Sequence, residues 1–219
     1  MGKSMVRNLM KAGFEVRIYA RNKEKVKDVI AEGARFFETI RECVKGCDAV
    51  ITIVGYPADV EAVYFGEGKI IDSAEKGAYL IDMTTTSPQL DMRISETASP
   101  LGFHVLDAPV TGGDTGAREG TLSILVGGDK SDYTNCHELF EAMGTNINYE
   151  GSAGCGQHCK LANQIMIAGA LSGVCEALTY AKEKGLDLNV FSKSVATGAA
   201  GSRQFDLFGP KIIEKDYAP

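Results

Sequence analysis

The sequence predicts an α/β protein: a doubly wound, mainly parallel sheet followed by an all-helical C-terminal part. Three observations predict it. Short apolar or β-branched runs alternate with stretches of helical spacing as far as residue 149. One of those runs, Ala49-Val50-Ile51-Thr52-Ile53-Val54, is almost wholly apolar, as expected of a strand covered on both faces. From residue 153 to residue 184 the pattern is helical alone.

Taken in order, residues 3–11 have helical spacing with Met5, Leu9 and Met10 on one side and Gly13 as a stop. Residues 14–20 are β-rich, 23–32 read as a charged helix, 34–37 as a weak strand and 39–44 as a short helix. The apolar strand 49–54 leads to a helix over 59–65, just after Pro57. A strand over 78–82 and a helix over 87–98 follow, with Pro88 tolerated in the first turn. Residues 103–106 form the next strand, 107–120 a Gly-rich loop, 121–126 a strand, 131–143 one helix and 146–149 a last strand. Strands separated by helices of this length require right-handed crossovers. The helix over 153–184 is about thirty residues, near 45 Å at the usual rise. Gly185 ends it, and helices over 189–196 and 202–213 complete the chain. The expected division is a domain of residues 1–150 and a helical domain of residues 151–219.

With 44% apolar and 24% charged residues, the composition is that of an ordinary globular protein. The formal net charge of −6 argues against nucleic acid or an anionic membrane as the main partner. No uninterrupted apolar run approaches a bilayer span, and no signal-peptide core is present, so a cytoplasmic location is expected. Six scattered cysteines suit reduced thiols. Cys155, His158 and Cys159 lie close on one helix, but a zinc site needs a fourth ligand that the spacing does not supply, and no metal is expected.

Five stretches carry candidate chemistry. Gly2 stands at the start of a helix, where amides and dipole favour a pyrophosphate, but a single glycine is no fingerprint. Arg21-Asn22-Lys23 ends the β-rich run where an acid would accept the ribose hydroxyls of NAD; an arginine there favours the 2′-phosphate of NADP, and a solvated basic turn reads equally well. The hydroxyls of Asp82-Met83-Thr84-Thr85-Thr86-Ser87-Pro88 lie at a strand end, where ligands bind in such sheets, although Ser87 also suits an N-cap. The loop from Asp107 to Leu122, with Thr111-Gly112-Gly113 near its head, offers bare amides and a hydroxyl to a carboxylate. Last, Gly154-Cys-Gly-Gln-His-Cys-Lys160-Leu-Ala-Asn163-Gln164 puts a lysine near the start of the long helix, with both amides on its face. Helical lysines are usually solvated. One withdrawn from water has a lowered pKa and exchanges protons near neutrality.

Together these stretches resemble, in order and over almost the whole chain, the β-hydroxyacid dehydrogenase family. The 107–122 loop is similar to its substrate signature, 154–164 to its catalytic helix, 82–88 to its nicotinamide-side loop and Met1-Gly2-Lys3-Ser4 onward to the tail of its glycine fingerprint. The resemblance implies a Rossmann-type domain and an NAD(P)-dependent oxidoreductase that interconverts a short 3-hydroxy acid and its semialdehyde or oxo acid. It implies Lys160 as general acid and base; Thr111, Gly112, Gly113, Asn163 and Gln164 at the substrate; and Gly2, Arg21, Asn22, Val54 and Thr85 at the cofactor, with NADP favoured over NAD. Gln164 stands where some relatives carry asparagine. The family's first strand and two glycines before Met1, and its helices beyond Pro219, are absent, so a truncated chain that binds NADPH poorly is the expectation. Self-association is expected from the long apolar helix. The competing readings are a non-catalytic remnant serving assembly or partner binding, and a phosphogluconate-like dehydrogenase.

Overall fold

The computed structural model describes residues 1–216 and 218. The chain divides into two compact units, Met1–Lys160 and Leu161–Pro219. The first opens with helix α1 (Gly2–Lys11), strand β1 (Arg17–Ile18), a 3₁₀ turn at Lys23–Val26, α2 (Lys27–Ala31), β2 (Arg35–Phe36), α3 (Ile40–Val44) and β3 (Ala49–Thr52). It continues with α4 (Pro57–Tyr64), α5 (Ile70–Ser73), β4 (Tyr79–Asp82), α6 (Pro88–Ala98), β5 (His104–Asp107) and β6 (Val110–Thr111). Helix α7 (Gly113–Glu119), β7 (Leu122–Gly128), α8 (Lys130–Asn135), α9 (His137–Glu141) and β8 (Gly144–Gly151) complete the alternation. Helix α10 (Cys155–Glu183) begins in the first unit and ends in the second, where α11 (Leu188–Val195) and α12 (Arg203–Glu214) follow.

Six strands form one sheet in the order β3-β4-β5-β7-β6, with β8 on the other side of β7. Strands β3, β4 and β5 are parallel, as are β7 and β8, whereas β7 runs antiparallel to β5 and β6. The short parallel pair β1 and β2 is a separate sheet. The period of two along β4 sends Leu80 and Ile81 to opposite faces, and both are fully buried. Leu80 joins Val50, Val60, Tyr64, Ile94 and Val105. Ile81 joins Met5, Leu9, Leu106, Ile124 and Phe140. In the second unit, Val174 and Leu178 of α10 pack with Phe205 of α12 and Phe191 of α11.

The predicted architecture holds, with local corrections. Within residues 14–20 and 34–37 only two residues each are paired as strand. The helix expected over 23–32 is a 3₁₀ turn followed by the short α2. The helix expected over 131–143 is broken at Cys136 into α8 and α9, and nothing in the residue types there signals the break. Helix α5 lies between Gly68 and Gly77, where no element was expected. The Gly-rich loop after β5 holds structure of its own, because Val110 and Thr111 pair with Ile124 and Ser123 and α7 follows at once. Glycine's low helix propensity hid that helix. Finally, α10 is long and apolar enough by composition to cross a membrane. A search for uninterrupted apolar runs missed this because Asn163, Gln164, Ser172 and Glu176 punctuate it.

Because β4 is covered on both faces, Leu80→Ala and Ile81→Ala are each expected to destabilise the protein by about 2–5 kcal/mol. Urea denaturation measures both, and a negligible cost for either one would mean that its face of the sheet is open.

Candidate functional site

Strand register lines up three polar residues at the carboxyl ends of the parallel strands. Thr52 is paired with Asp82, and Asp82 with Asp107. All three are buried. Open α/β sheets bind ligands beyond this edge, and here the same edge receives the start of α10.

Asp107 makes that junction. Its Oδ1 accepts the Gly154 N–H at 2.7 Å and its Oδ2 the Gln157 N–H at 2.9 Å. The Cys155 N–H goes to the Ser152 carbonyl, so first-turn donors that a helix cannot satisfy internally find partners. Burial pushes the Asp107 carboxyl above the ordinary carboxylate range, and the helix amides oppose that shift. Of the two glycines before Lys160, Gly156 follows from the same contact and Gly154 from its own backbone and from α6. Gly154 has φ +88° and a Cβ there would lie 2.8 Å from Met92 Cγ. A Cβ on Gly156 would run into the Leu125 carbonyl, and one on Gly127 would lie 2.5 Å from Asp107 Oδ1.

Gln157 is completely buried. Its Nε2 donates to the Thr84 carbonyl at 2.7 Å and to Asp91 Oδ2 at 2.8 Å, and its Oε1 accepts the Thr86 N–H at 3.1 Å. Thr84 is held twice more: its N–H donates to Asp82 Oδ1 at 3.0 Å, and its Oγ1 accepts the Val54 N–H at 3.0 Å. Thr84 and Thr86 are therefore buried, and Thr85 between them is exposed. One turn after Gln157, Lys160 is only 8% exposed, and burial lowers its pKa below the usual lysine value.

The other expected residues fall into three places. Thr111 is half-buried, and Gly112 and Gly113, exposed with φ of +127° and +65°, form the turn into α7. Their amides are thus presented at a helix start and not by an irregular loop. Asn163 and Gln164 belong to the second unit, where Asn163 Nδ2 donates to Gln164 Oε1 at 3.1 Å. At the opposite end of the strand order, Gly2 opens α1 against β3, its Cβ position 3.1 Å from Ile53 Cγ2. Helix α1 has no side-chain N-cap and no acid in its first turn, so its leading amides are fit for an anion such as a pyrophosphate. Arg21, with its side chain 74% exposed, reaches Asp59 at 2.7 Å, and Asn22 caps the following turn by accepting the Glu24 N–H. Both have local partners, but Arg21 keeps guanidinium surface free for a phosphate.

Sequence reasoning passed over Asp107 as a helix cap, and over Gln157 and Asp91. Asp91 did carry a signal, since it occupies a core position of α6 together with Ile94 and Ala98. An acid on an apolar stripe asks for a partner. Gln157 was read only as part of the stretch around Lys160.

A sheet edge of the nucleotide-binding type, a helix start without a capping side chain and a buried lysine one turn into the docked helix fit an NAD(P)-binding oxidoreductase, and comparison with known proteins shows that class. Residues 1–151 match the family described as the NAD binding domain of 6-phosphogluconate dehydrogenase, and residues 154–219 the one described as NAD-binding of NADP-dependent 3-hydroxyisobutyrate dehydrogenase. An uncharacterized oxidoreductase of Bacillus subtilis is 47% identical over 219 residues, all of this chain and 76% of that one. The 2-hydroxy-3-oxopropionate reductase of Escherichia coli is 36% identical over 219 residues, all of this chain and 75% of that one. A 3-hydroxyisobutyrate dehydrogenase of Mycobacterium tuberculosis, solved with L-serine, superposes with a TM-score of 0.85 at 29% identity, over 93% of this chain and 69% of that one. The chain belongs to the β-hydroxyacid dehydrogenase family, NAD(P)-dependent oxidoreductases of hydroxy acids. These matches favour that reading over a non-catalytic assembly module.

Gly156→Ala is expected to lower stability by about 1–3 kcal/mol or more, since α10 must lift off β7 to make room. An unchanged urea midpoint would show that the helix start does not rest on the strand.

Proposed function

We propose that the chain carries the proton-transfer half of a hydride-transfer reaction on a short 3-hydroxy acid and its semialdehyde, with Lys160 as general acid and base. The observation that carries this is a buried lysine whose pKa is lowered by burial and which forms no ion pair among the described residues. When bound, the nicotinamide cofactor supplies or accepts the hydride. In reduction Lys160 gives its proton to the carbonyl oxygen of the substrate; in oxidation the neutral amine takes the hydroxyl proton. Thr111 and the amides of Gly112 and Gly113 hold the substrate carboxylate, and Asn163 and Gln164 orient the remainder. On the cofactor side, the leading amides of α1 at Gly2 take the pyrophosphate, Val54 and Thr85 flank the nicotinamide and Arg21 with Asn22 takes the 2′-phosphate, which favours NADP.

Hydroxy acids and semialdehydes of the size named for the relatives fit this reading. Part of the same proposal are a cytoplasmic location, supported by free cysteines, and self-association, supported by strongly exposed apolar residues such as Ile165 and Met166. Nucleic acid and membrane lipid are not the intended partners, in keeping with the net charge of −6.

In the full chain, Lys160→Ala is expected to lower turnover by about 10²–10⁴-fold while NADPH affinity is kept. For the wild type, reduction is lost as pH rises through the lowered lysine pKa and oxidation is gained over the same range. Equal turnover by wild type and Lys160→Ala would remove the assignment. Arg21→Ala is expected to weaken NADPH binding by about tenfold while leaving NADH unchanged, since one charge-assisted contact is lost; equal effects on both cofactors would place the 2′-phosphate elsewhere.

A further inference from the structure

Two buried carboxylate oxygens, Asp82 Oδ2 and Asp91 Oδ1, have no donor among the described residues. Both residues are almost completely buried, at 2% and 3% exposure. Their other oxygens are in use. Asp82 Oδ1 accepts the Thr52 hydroxyl at 2.7 Å and the Thr84 N–H at 3.0 Å, and Asp91 Oδ2 accepts Gln157 Nε2 at 2.8 Å. Thr52 spends its single hydroxyl hydrogen on Asp82, so Tyr64, whose hydroxyl lies 3.2 Å from Thr52 Oγ1, is the donor of that pair. Among the described residues, the groups that act on the two acids are Thr52, with Tyr64 behind it, Thr84, Asp107 on β5 and Gln157 on α10. None of them is a cation, and two ionised carboxylates cannot share such a place. One proton between the two orphaned oxygens satisfies both.

We infer that Gln157 is a positioning residue for the reaction proposed above: with its amide donating to Asp91, which shares one proton with Asp82, it fixes the Thr84–Thr86 backbone to the helix that carries Lys160. The amide is saturated, with both hydrogens on acceptors and its oxygen on an N–H, so only one orientation fits. A carboxylate at 157 would face the Thr84 carbonyl and Asp91 with no hydrogen to offer. Asp91 itself stays neutral far above the usual range, up to about 9, because burial and then the Asp82 and Asp107 charges oppose its ionisation. An unfolded aspartate ionises near about 4. The folded chain thus binds the extra proton between those limits, and its stability falls as pH rises through that window.

The test uses the full chain, measuring NADPH binding by fluorescence and turnover of a small semialdehyde at pH 6 and pH 8. Gln157→Glu is expected to lose at least about tenfold in kcat, with weaker NADPH binding, at pH 8. It should recover in part at pH 6, where a protonated glutamic acid again offers a hydrogen. Gln157→Met is expected to lose a similar factor at both pH values. Variants that keep wild-type kcat, KM and NADPH affinity while only their melting points fall would make Gln157 merely structural and overturn the inference, as would a Gln157→Glu deficit that ignores pH. A wild type that turns over no semialdehyde would instead refute the proposed reaction, and the NADPH titrations would still decide on the positioning role. Should Gln157→Glu fail to fold, Asp91→Asn decides: the wild-type urea midpoint should fall from pH 5 to pH 8 and that of Asp91→Asn should stay flatter. Equal slopes would show that no shared proton exists and overturn the acid pair.

Discussion

The carboxylate of Asp107, bonded to two backbone N–H groups at the head of α10, is the contact on which the rest of the site depends. A helix of 29 residues has amides at its first turn that its own backbone cannot satisfy. The last residue of β5 meets them with a charge-assisted pair, which is stronger than two neutral bonds. The contact works only if the helix backbone reaches the strand ends, and that distance requires glycine at 127 and 156, while the left-handed backbone at 154 against α6 favours a third. What reads in the sequence as a motif before a lysine is therefore mainly the footprint of a helix set down on a sheet.

From that docking the neighbouring loop follows. Once α10 is seated, two hydrogen bonds between the Gln157 amide and the Thr84–Thr86 backbone, with a third to Asp91 of α6, make an otherwise irregular strand end a fixed surface. The loop is tied from the other side by Val54 and Asp82 through Thr84. Thr85 alone is left outward, held by rigid neighbours. Desolvating this much polar surface costs free energy wherever a group is left unpaired. Among the described residues, the buried oxygens left without a partner here are Asp82 Oδ2, Asp91 Oδ1 and the Thr86 hydroxyl.

The doubly wound fold was legible because the strands at its centre, β4, β5 and β7, are written as runs of core residues. The break at Cys136 has no signal in the residue types, and β6 with the helix at Gly113–Glu119 was not legible because tertiary pairing of Val110 and Thr111 and a glycine-rich composition hide both. In the site, Lys160 stood out because its neighbours form a pattern along one helix. Asp107 and Gln157 lie about fifty residues apart in sequence, so a link between them needs strand register, which no local pattern encodes. Asp91 was readable in principle, as an acid at a core position, and its partner was not.

Burial, and no carboxylate, sets the state of the lysine. Lys160 lies in the unit that buries Asp82, Asp91 and Asp107, and an ionised carboxylate at hydrogen-bond distance would hold it as a permanent ammonium. No such pair occurs among the described residues. Asp107 engages both oxygens with helix amides, whereas Asp82 and Asp91 each engage one, Asp82 with Thr52 and Thr84 and Asp91 with Gln157. Burial is then the one influence on Lys160, and it acts to release the proton. A lysine under that influence alone stays free to exchange its proton with a substrate oxygen, which a buried salt bridge would prevent.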